Sequence, residues 1–342
     1  MNRYFSILIL LLLQSHHCFT QGIDSLTKSG NTLRESGLSE LAIAEYQKAL
    51  AIDKESSVVN YEMAFTYFTI NNFRNTIKFC NRIISSKSEK TIEAYILKGS
   101  ALDYMGKSKK SIRLYNQAIK LYPNNYLLHY NLGITYHNRN KLAEAEVQYL
   151  RSIEIDKLQP SSHYMLGVLM NGRGERVKSM LSLYFFLLLE PNTERSTEAY
   201  KLLQKQWKQN IEINPSTPNT FKIKYTPNEV RDFNAIDLAI SSIYIKNSGR
   251  IRKTLNAYES MISNTTSLFS VIGDYKSTID KGLWTDFYST FFNDLVIANQ
   301  VEPFYYYISS TCDDIIINSW LESNKEKIVL FSNWVNNRLL EK

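Results

Sequence analysis

Three histidines lie beyond the first twenty residues, His129, His137 and His163, together with two cysteines, Cys80 and Cys312. Histidine is the side chain of proton transfer near neutral pH and a common metal ligand. His129 and His163 stand 34 residues apart, but no HExxH and no paired CxxC accompanies them, so the sequence holds no metal motif. All three are read as structural. Cys312-Asp313-Asp314 has no histidine within its own C-terminal region, so a Cys–His nucleophile there would have to borrow its base from the N-terminal half. Asp237 flanks an apolar stripe and reads as a solvated or paired acid. No nucleophile elbow, phosphate loop or dinucleotide fingerprint is present. The sequence thus names no catalytic residue, no metal ligand and no cofactor.

Helices must position whatever these residues do. Only 12 Gly and 7 Pro occur in 342 residues, few for a turn-rich β fold, and 44% hydrophobic with 21% charged residues is a globular composition. The length suffices for two domains. The formal charge is +7, but the basic residues are dispersed. Their densest cluster, Lys107, Lys109 and Lys110, reads as a solvated turn, and no nucleic-acid partner is expected.

Residues 1–20 read as a signal peptide: Arg3, an unbroken apolar run from Ile7 to Leu13, then a polar stretch to Thr20. A membrane span needs about 20 apolar residues, so this is a leader and not an anchor. The mature chain, from Gln21, is expected to be exported to the periplasm or the exterior without a transmembrane anchor. Cys18 follows His16 and His17 rather than small residues, which argues against lipoprotein anchoring. Export permits a Cys80–Cys312 disulfide, but that bond needs Cα atoms within about 7 Å, and both thiols are read as unpaired.

A 34-residue period runs through the first half. Gly99 recurs as Gly133, Leu102 as Tyr136, Gly106 as Asn140, Tyr115 as Tyr149 and Ala118 as Ser152. Extended outward, it gives five units starting near Ile23, Ser57, Ile92, Tyr126 and Pro160. The first carries Gly30, Gly37, Ala42 and Tyr46; the weaker second carries Ala64, Asn71, Thr76 and Cys80; the fifth keeps Gly167, Gly174 and the closing Pro191. A small residue midway along one helix admits a second helix closely, tyrosine fills the gap between units, and Gly37, Gly106 and Gly174 suit a turn with positive φ. Cys80 takes an aromatic position and reads as a core thiol. The pattern resembles the tetratricopeptide repeat, a helix–turn–helix unit that stacks into a solenoid because one hairpin cannot bury its own apolar faces.

The resemblance implies a concave groove lined by the first helix of each unit, and a protein or peptide partner held there. Its facing positions fall on Thr27, Asn31 and Arg34, then Tyr61, Phe65 and Phe68, then Ile96, Ser100 and Asp103. They continue with Tyr130, Ile134 and His137, and end with Tyr164, Val168 and Asn171. The carboxylate-gripping version of such grooves is not supported, since Asn31 and Arg34 are joined by Glu62 and Glu93 instead of further basic residues. The candidate partner-binding set is therefore Tyr61, Phe65, Phe68, Ile96, Tyr130, Ile134, His137 and Tyr164, rigid aromatics and aliphatics of the kind that anchor interfaces. The same residues would equally serve as packing against the chain's own C-terminal part.

Leu181 to Leu189 is apolar almost all round, with Phe186 where a small residue belongs. A helix without a polar face must be covered on both sides, so later residues are expected to pack on it. Thr193 to Gln209, with Tyr200, Leu203 and Trp207 at helical spacing, reads as a terminating helix. Residues 210–225, with Pro215 and Pro218, read as a linker. Thr226-Pro227-Asn228-Glu229 reads as a helix start. Further helices are expected at Arg250–Ser263, Leu268–Ile279, Trp284–Asn299, Ile315–Glu322 and Lys325–Leu340, with Phe304–Ile308 as buried helix. The expected architecture is all-α: a leader (1–20), a tetratricopeptide helical-hairpin solenoid with its terminating helix (21–209), a linker (210–225) and a smaller α-helical C-terminal domain (226–342). The expected role is a non-enzymatic scaffold or adaptor at the cell envelope. The alternatives are a structural subunit of an envelope assembly, or an enzyme using Asp237 or Cys312.

Overall fold

The computed structural model describes residues 22–213, 221–224, 233–247, 256–276 and 281–340. The leader with Cys18, the helix start at Thr226–Glu229 and the beginning of the helix expected from Arg250 lie outside them. The chain divides into two compact units, Met1–Ile155 and Asp156–Lys342.

Among the described residues the first unit is four helical hairpins. They pair α1 (residues 22–35) with α2 (Ser39–Ile52), α3 (Ser57–Thr69) with α4 (Phe73–Ser86), α5 (Thr91–Tyr104) with α6 (Ser108–Leu121), and α7 (Tyr126–Asn138) with α8 (Leu142–Ile155). Each hairpin turns on one left-handed residue: Gly37 at φ 79°, Asn71 at 59°, Gly106 at 71° and Asn140 at 55°. Glycine adopts this region without steric cost and asparagine tolerates it, which is why these two residues alternate along the period. Side-chain caps start α3, α4 and α7, where Ser56, Asn72 and Asn125 accept the amide protons of Val59, Asn75 and Leu128.

The packing within three of these hairpins is a ring laid on a glycine. A Cβ on Gly133 would stand 2.6 Å from Cε1 of Tyr149, and Gly30 and Gly99 meet Tyr46 and Tyr115 in the same way. All three tyrosines are fully buried. The second hairpin solves the same space differently: Ala64 replaces the glycine and Cys80 replaces the ring, both fully buried. One added methyl on the first helix is balanced by an aromatic ring removed from the second. Polar ties reinforce the approach, since the Ser111 hydroxyl donates to the Gly99 carbonyl at 2.8 Å and the Tyr115 hydroxyl to the Ile96 carbonyl at 2.9 Å.

The second unit begins with the fifth hairpin, α9 (Pro160–Gly172) and α10 (Arg176–Leu189), turned at Gly174 with φ 70°. There Leu183 lies on Gly167 in place of a tyrosine. Next come α11 (Glu194–Lys208) and a ribbon of β1 (Ile211–Ile213) and β2 (Phe221–Ile223), followed by α12 (Asn234–Asn247) and α13 (Ala257–Tyr275). A π-helical turn at Leu283–Ser289 leads into α14 (Thr290–Ile297), then α15 (Val301–Ser309), a 3₁₀ turn at Ser310–Cys312, α16 (Ile315–Ser323) and α17 (Lys325–Leu340).

Every residue of α10 from Leu181 to Leu188 is buried. Beyond α9, it is covered by α11, α12, α15 and the π-helical turn. Phe185 meets the rings of Phe287, Tyr288 and Phe291, and Tyr184 those of Phe269, Phe292 and Phe304. This is the cover its missing polar face demanded, and it explains why the compact units divide at Ile155 and Asp156, upstream of the 210–225 boundary read from composition. Trp207 seals the hairpin as the terminating helix predicted, its indole N–H donating to the Tyr184 hydroxyl at 2.9 Å.

Three details depart from the sequence reading. The stretch read as linker holds the antiparallel ribbon, with Ile211 opposite Ile223 and Glu212 opposite Lys222. The helices expected on either side of residues 264–267 are one, α13. Thr265 and Thr266 there return their hydroxyls to the carbonyls of Met261 and Ile262, and the helix runs through them with Leu268, Phe269 and Ile272 buried beyond. The helix expected from Trp284 to Asn299 starts as a π turn, where the hydroxyls of Ser289 and Thr290 also donate to the carbonyls five residues back, and closes at Asn299 with φ 56°. Phe304–Ile308 is buried helix, as expected.

The ring-on-glycine contact makes a direct prediction. Gly133→Ala alone is expected to destabilise the first unit by about 1–3 kcal/mol through overpacking, and Tyr149→Cys by roughly 3 kcal/mol through the cavity it leaves. The double variant reproduces the Ala64–Cys80 pair, and in urea unfolding it should cost less than the sum of the two singles by about 1 kcal/mol or more. Strict additivity would refute the account. A chain truncated after Asn210 should lose the cover of α10 and melt well below the full chain or aggregate; equal solubility and stability would show that α10 needs no C-terminal partner.

Candidate functional site

In the first unit α3 lies against α5 and α5 against α7, so the first helices of successive hairpins share a face, and seven of the eight candidate residues sit on it. All seven are half-buried. Tyr61 and Phe65 stack with centroids 6.3 Å apart, with the Arg34 guanidinium 5.0 Å from the Phe65 ring and the Lys90 ammonium 5.9 Å from the Tyr61 ring. Arg34 and Glu62 pair at 3.6 Å. Burial pushes the Glu62 carboxyl up, against the opposing pull of Arg34 and Lys90. Asn31 accepts the Tyr46 hydroxyl at 2.7 Å. Ile96 packs on the core around Tyr115. Tyr130 and His137 flank Tyr149 at 6.2 and 6.3 Å between centroids, and burial lowers the imidazole of His137 below the usual histidine range.

Between α5 and α7 the face opens into a cavity of about 490 Å³, lined by Phe68, Ser100, Asp103, Tyr104 and Ile134 among others. Phe68, Phe73 and Tyr104 form an aromatic trio, Phe73 and Tyr104 stacked at 5.6 Å, and Tyr104 is 72% exposed. Asp103 accepts the Ser108 hydroxyl at 2.5 Å and the Asn138 amide at 3.2 Å. Tyr104, Asn131, Asn138 and Arg139 line this cavity without having been picked from the sequence. Tyr104 and Asn138 stand 34 residues apart, one step along the helix from the mapped positions Asp103 and His137; a second stripe at the same period was the available signal.

Tyr164, the eighth candidate, belongs to the second unit. Its ring packs on Phe186 at 5.0 Å with the Arg195 guanidinium 5.8 Å away, and its hydroxyl donates to Glu198 at 3.0 Å. It is committed to α10 and α11.

Of the residues that could do chemistry, His129, His163 and Asp237 are tied into hydrogen bonds or an ion pair. His129 is buried and bonds Gln148 at 2.8 Å. His163 is wholly buried; its Nε2–H donates to the Lys157 carbonyl at 2.9 Å and its Nδ1 accepts the Tyr288 hydroxyl at 2.6 Å. Burial pushes its pKa down to about 4. Asp237 pairs at 3.7 Å with the buried Arg176, which also donates to Ser241 at 3.1 Å. Cys80 is buried and its thiol is pushed up to about 12 by burial, whereas Cys312 is exposed; both are free. Partial desolvation and the Asp314 carboxylate raise the Cys312 thiol as well, away from the thiolate a nucleophile requires. Among the described residues no group of three or more His, Cys, Asp or Glu could hold a metal ion, and no helix is long and apolar enough to cross a membrane.

Tetratricopeptide repeat models match residues 23–56 and 92–125, and a third such match covers 114–147, from the second helix of one hairpin into the next hairpin. The chain carries tetratricopeptide repeats; the second and fifth hairpins join the series by their geometry. Solved structures with a similar fold include Pseudomonas aeruginosa pilF, 18% identical over 56% of this chain and 91% of that one, TM-score 0.46. PilW, described as a widely conserved type IV pilus biogenesis factor, is 15% identical over 55% and 92%, TM-score 0.45. YrrB, described as a repeat protein of this kind with an unusual peptide-binding site, is 20% identical over 54% and 97%, TM-score 0.38. No curated protein matches the chain. The repeats imply a protein-interaction scaffold.

The neutral, buried His163 predicts a pH dependence. Its folded pKa lies below the unfolded value near 6.5, so the native state binds fewer protons and stability rises with pH across that window. Acidification from about pH 6.5 to 4 should cost the second unit roughly 3 kcal/mol, read from urea unfolding at a series of pH values. His163→Gln should flatten that part of the profile; an unchanged slope in the variant would refute it.

Proposed function

We propose that this protein is an exported scaffold at the cell envelope that holds an extended or helical segment of a protein partner on the first-helix face of its repeats. The observation carrying this reading is the row Tyr61, Phe65, Phe68, Ile96, Tyr130, Ile134 and His137: half-buried apolar and aromatic groups on one face, beside an open cavity. Such side chains offer much contact area at small entropic cost. The reading of an enzyme built on Asp237 or Cys312 is disfavoured by the ion pair that occupies the first and the raised thiol of the second. Export rests on the leader-like residues 1–20.

The test is affinity capture from a native envelope fraction with the mature protein, beside a Tyr130→Asp/Phe65→Asp variant shown to be folded by helical circular dichroism and melting. Loss of a captured partner by the folded variant is the expected result. Retention of the same partner would move the binding site off this face, and unfolding of the variant would assign these side chains to the core.

A further inference from the structure

The cavity between α5 and α7 carries chemistry more specific than a generic protein-binding face. Its half-buried acid, Asp103, is held by two neutral donors, Ser108 at 2.5 Å and Asn138 at 3.2 Å, with no cation within ion-pair distance among the described residues. The two donors come from different helices, α6 and α7, and Asn138 belongs to the next hairpin, so the carboxylate is fixed in place before any ligand arrives. Beside it stand the rings of Phe68 and Tyr104, the latter largely exposed and stacked on Phe73. Ser100 and Asn131 add hydroxyl and amide groups. A carboxylate in a cavity also lined by aromatic rings favours a cation twice over, by ion pairing and by the negative face of a ring. About 490 Å³ is ample for one long side chain. The other charged residue lining the cavity, Arg139, is exposed and joins no ion pair with Asp103.

We propose that this cavity receives a lysine or arginine side chain of the partner, making it the subsite that selects basic segments. The inference rests on the groove reading above and adds the chemistry of one anchor. Asp103→Asn removes the charge and keeps one acceptor oxygen for the Asn138 amide, while its own amide N–H can donate to the Ser108 hydroxyl. It should remove the selection and leave the fold intact, as helical circular dichroism and melting would check. Tyr104→Ala strips one ring from the cavity at a largely exposed position; because it also removes the stacking on Phe73, the binding measurement is paired with helical circular dichroism and melting of the variant.

The experiment is panning of the full chain against a random-peptide phage library, followed by affinity measurement of enriched peptides as synthetic compounds. The expected result is enrichment of peptides containing Lys or Arg, whose binding weakens roughly tenfold in Asp103→Asn and several-fold in Tyr104→Ala. Arg139→Ala should leave that binding unchanged or tighten it. Affinity should fall with added salt for the wild type and much less for Asp103→Asn. Peptides that lose binding in Phe65→Asp but bind Asp103→Asn as well as wild type, or that depend on Arg139 instead, overturn the cation subsite and leave the groove reading standing. Failure to enrich any peptide, or enriched peptides indifferent to Phe65→Asp, overturns both.

Discussion

Everything in the first unit depends on how closely two helices of one hairpin approach, and that distance is set by a glycine facing a tyrosine. With no Cβ at Gly30, Gly99 or Gly133, a ring takes the space against the neighbouring helix and is fully buried. A ring so placed buries more apolar area than any aliphatic alternative of that reach, and its hydroxyl still finds an acceptor at the edge, as Tyr46 and Tyr115 do. Ala64 with Cys80 shows that the constraint concerns the sum of two residues rather than either alone. Interiors packed to crystal-like density behave this way, because a methyl gained on one side must be surrendered on the other. The same spacing of hairpins puts the first helices side by side and so creates the face on which the aromatic row and the cavity lie.

The second unit rests on a different principle. In α10 the repeat's alternation of packed and solvated faces gives way to burial on all sides, with Phe185 and Tyr184 inside an aromatic cluster drawn from α13, the π-helical turn, α14 and α15. His163 and Arg176, which in isolation would attract attention as reactive groups, are the polar ties of this core. Each is buried and hydrogen-bonded, one neutral and the other charged against Asp237.

The repeat array was legible because its physics is local. Turn residues such as Gly37, Asn71, Gly106 and Asn140, and the pairs sixteen residues apart, state hairpin geometry directly in the chain. The α10 run was legible as a helix needing cover, but which elements cover it was not, since most of those contacts join residues roughly 65 to 120 apart in sequence. The ribbon at Ile211–Ile213 and Phe221–Ile223 was hidden among prolines and asparagines that read as coil. Two expected helices are one, α13, because the tertiary burial of residues such as Leu268, Phe269 and Ile272 carries the helix through threonines whose propensity alone would end it. The mapped face located Phe68, Ser100, Asp103 and Ile134, four of the residues lining the cavity. Asn138 and Arg139 were missed because they fall just past the helical stripe followed, at the end of α7 where the chain begins to turn.

The contrast between the two packing schemes has a mechanical consequence. In an array where each hairpin touches only its neighbours, stability is a sum of nearest-neighbour terms, so tension on the chain can peel one hairpin at a time, each release returning a similar length. In the second unit α10 is gripped at once by α9, α11, α12, α15 and the π-helical turn, and none of these can leave without uncovering it. That part resists as a block and yields in a single event. Under tension the chain thus behaves as a compliant spring in series with a stiff block.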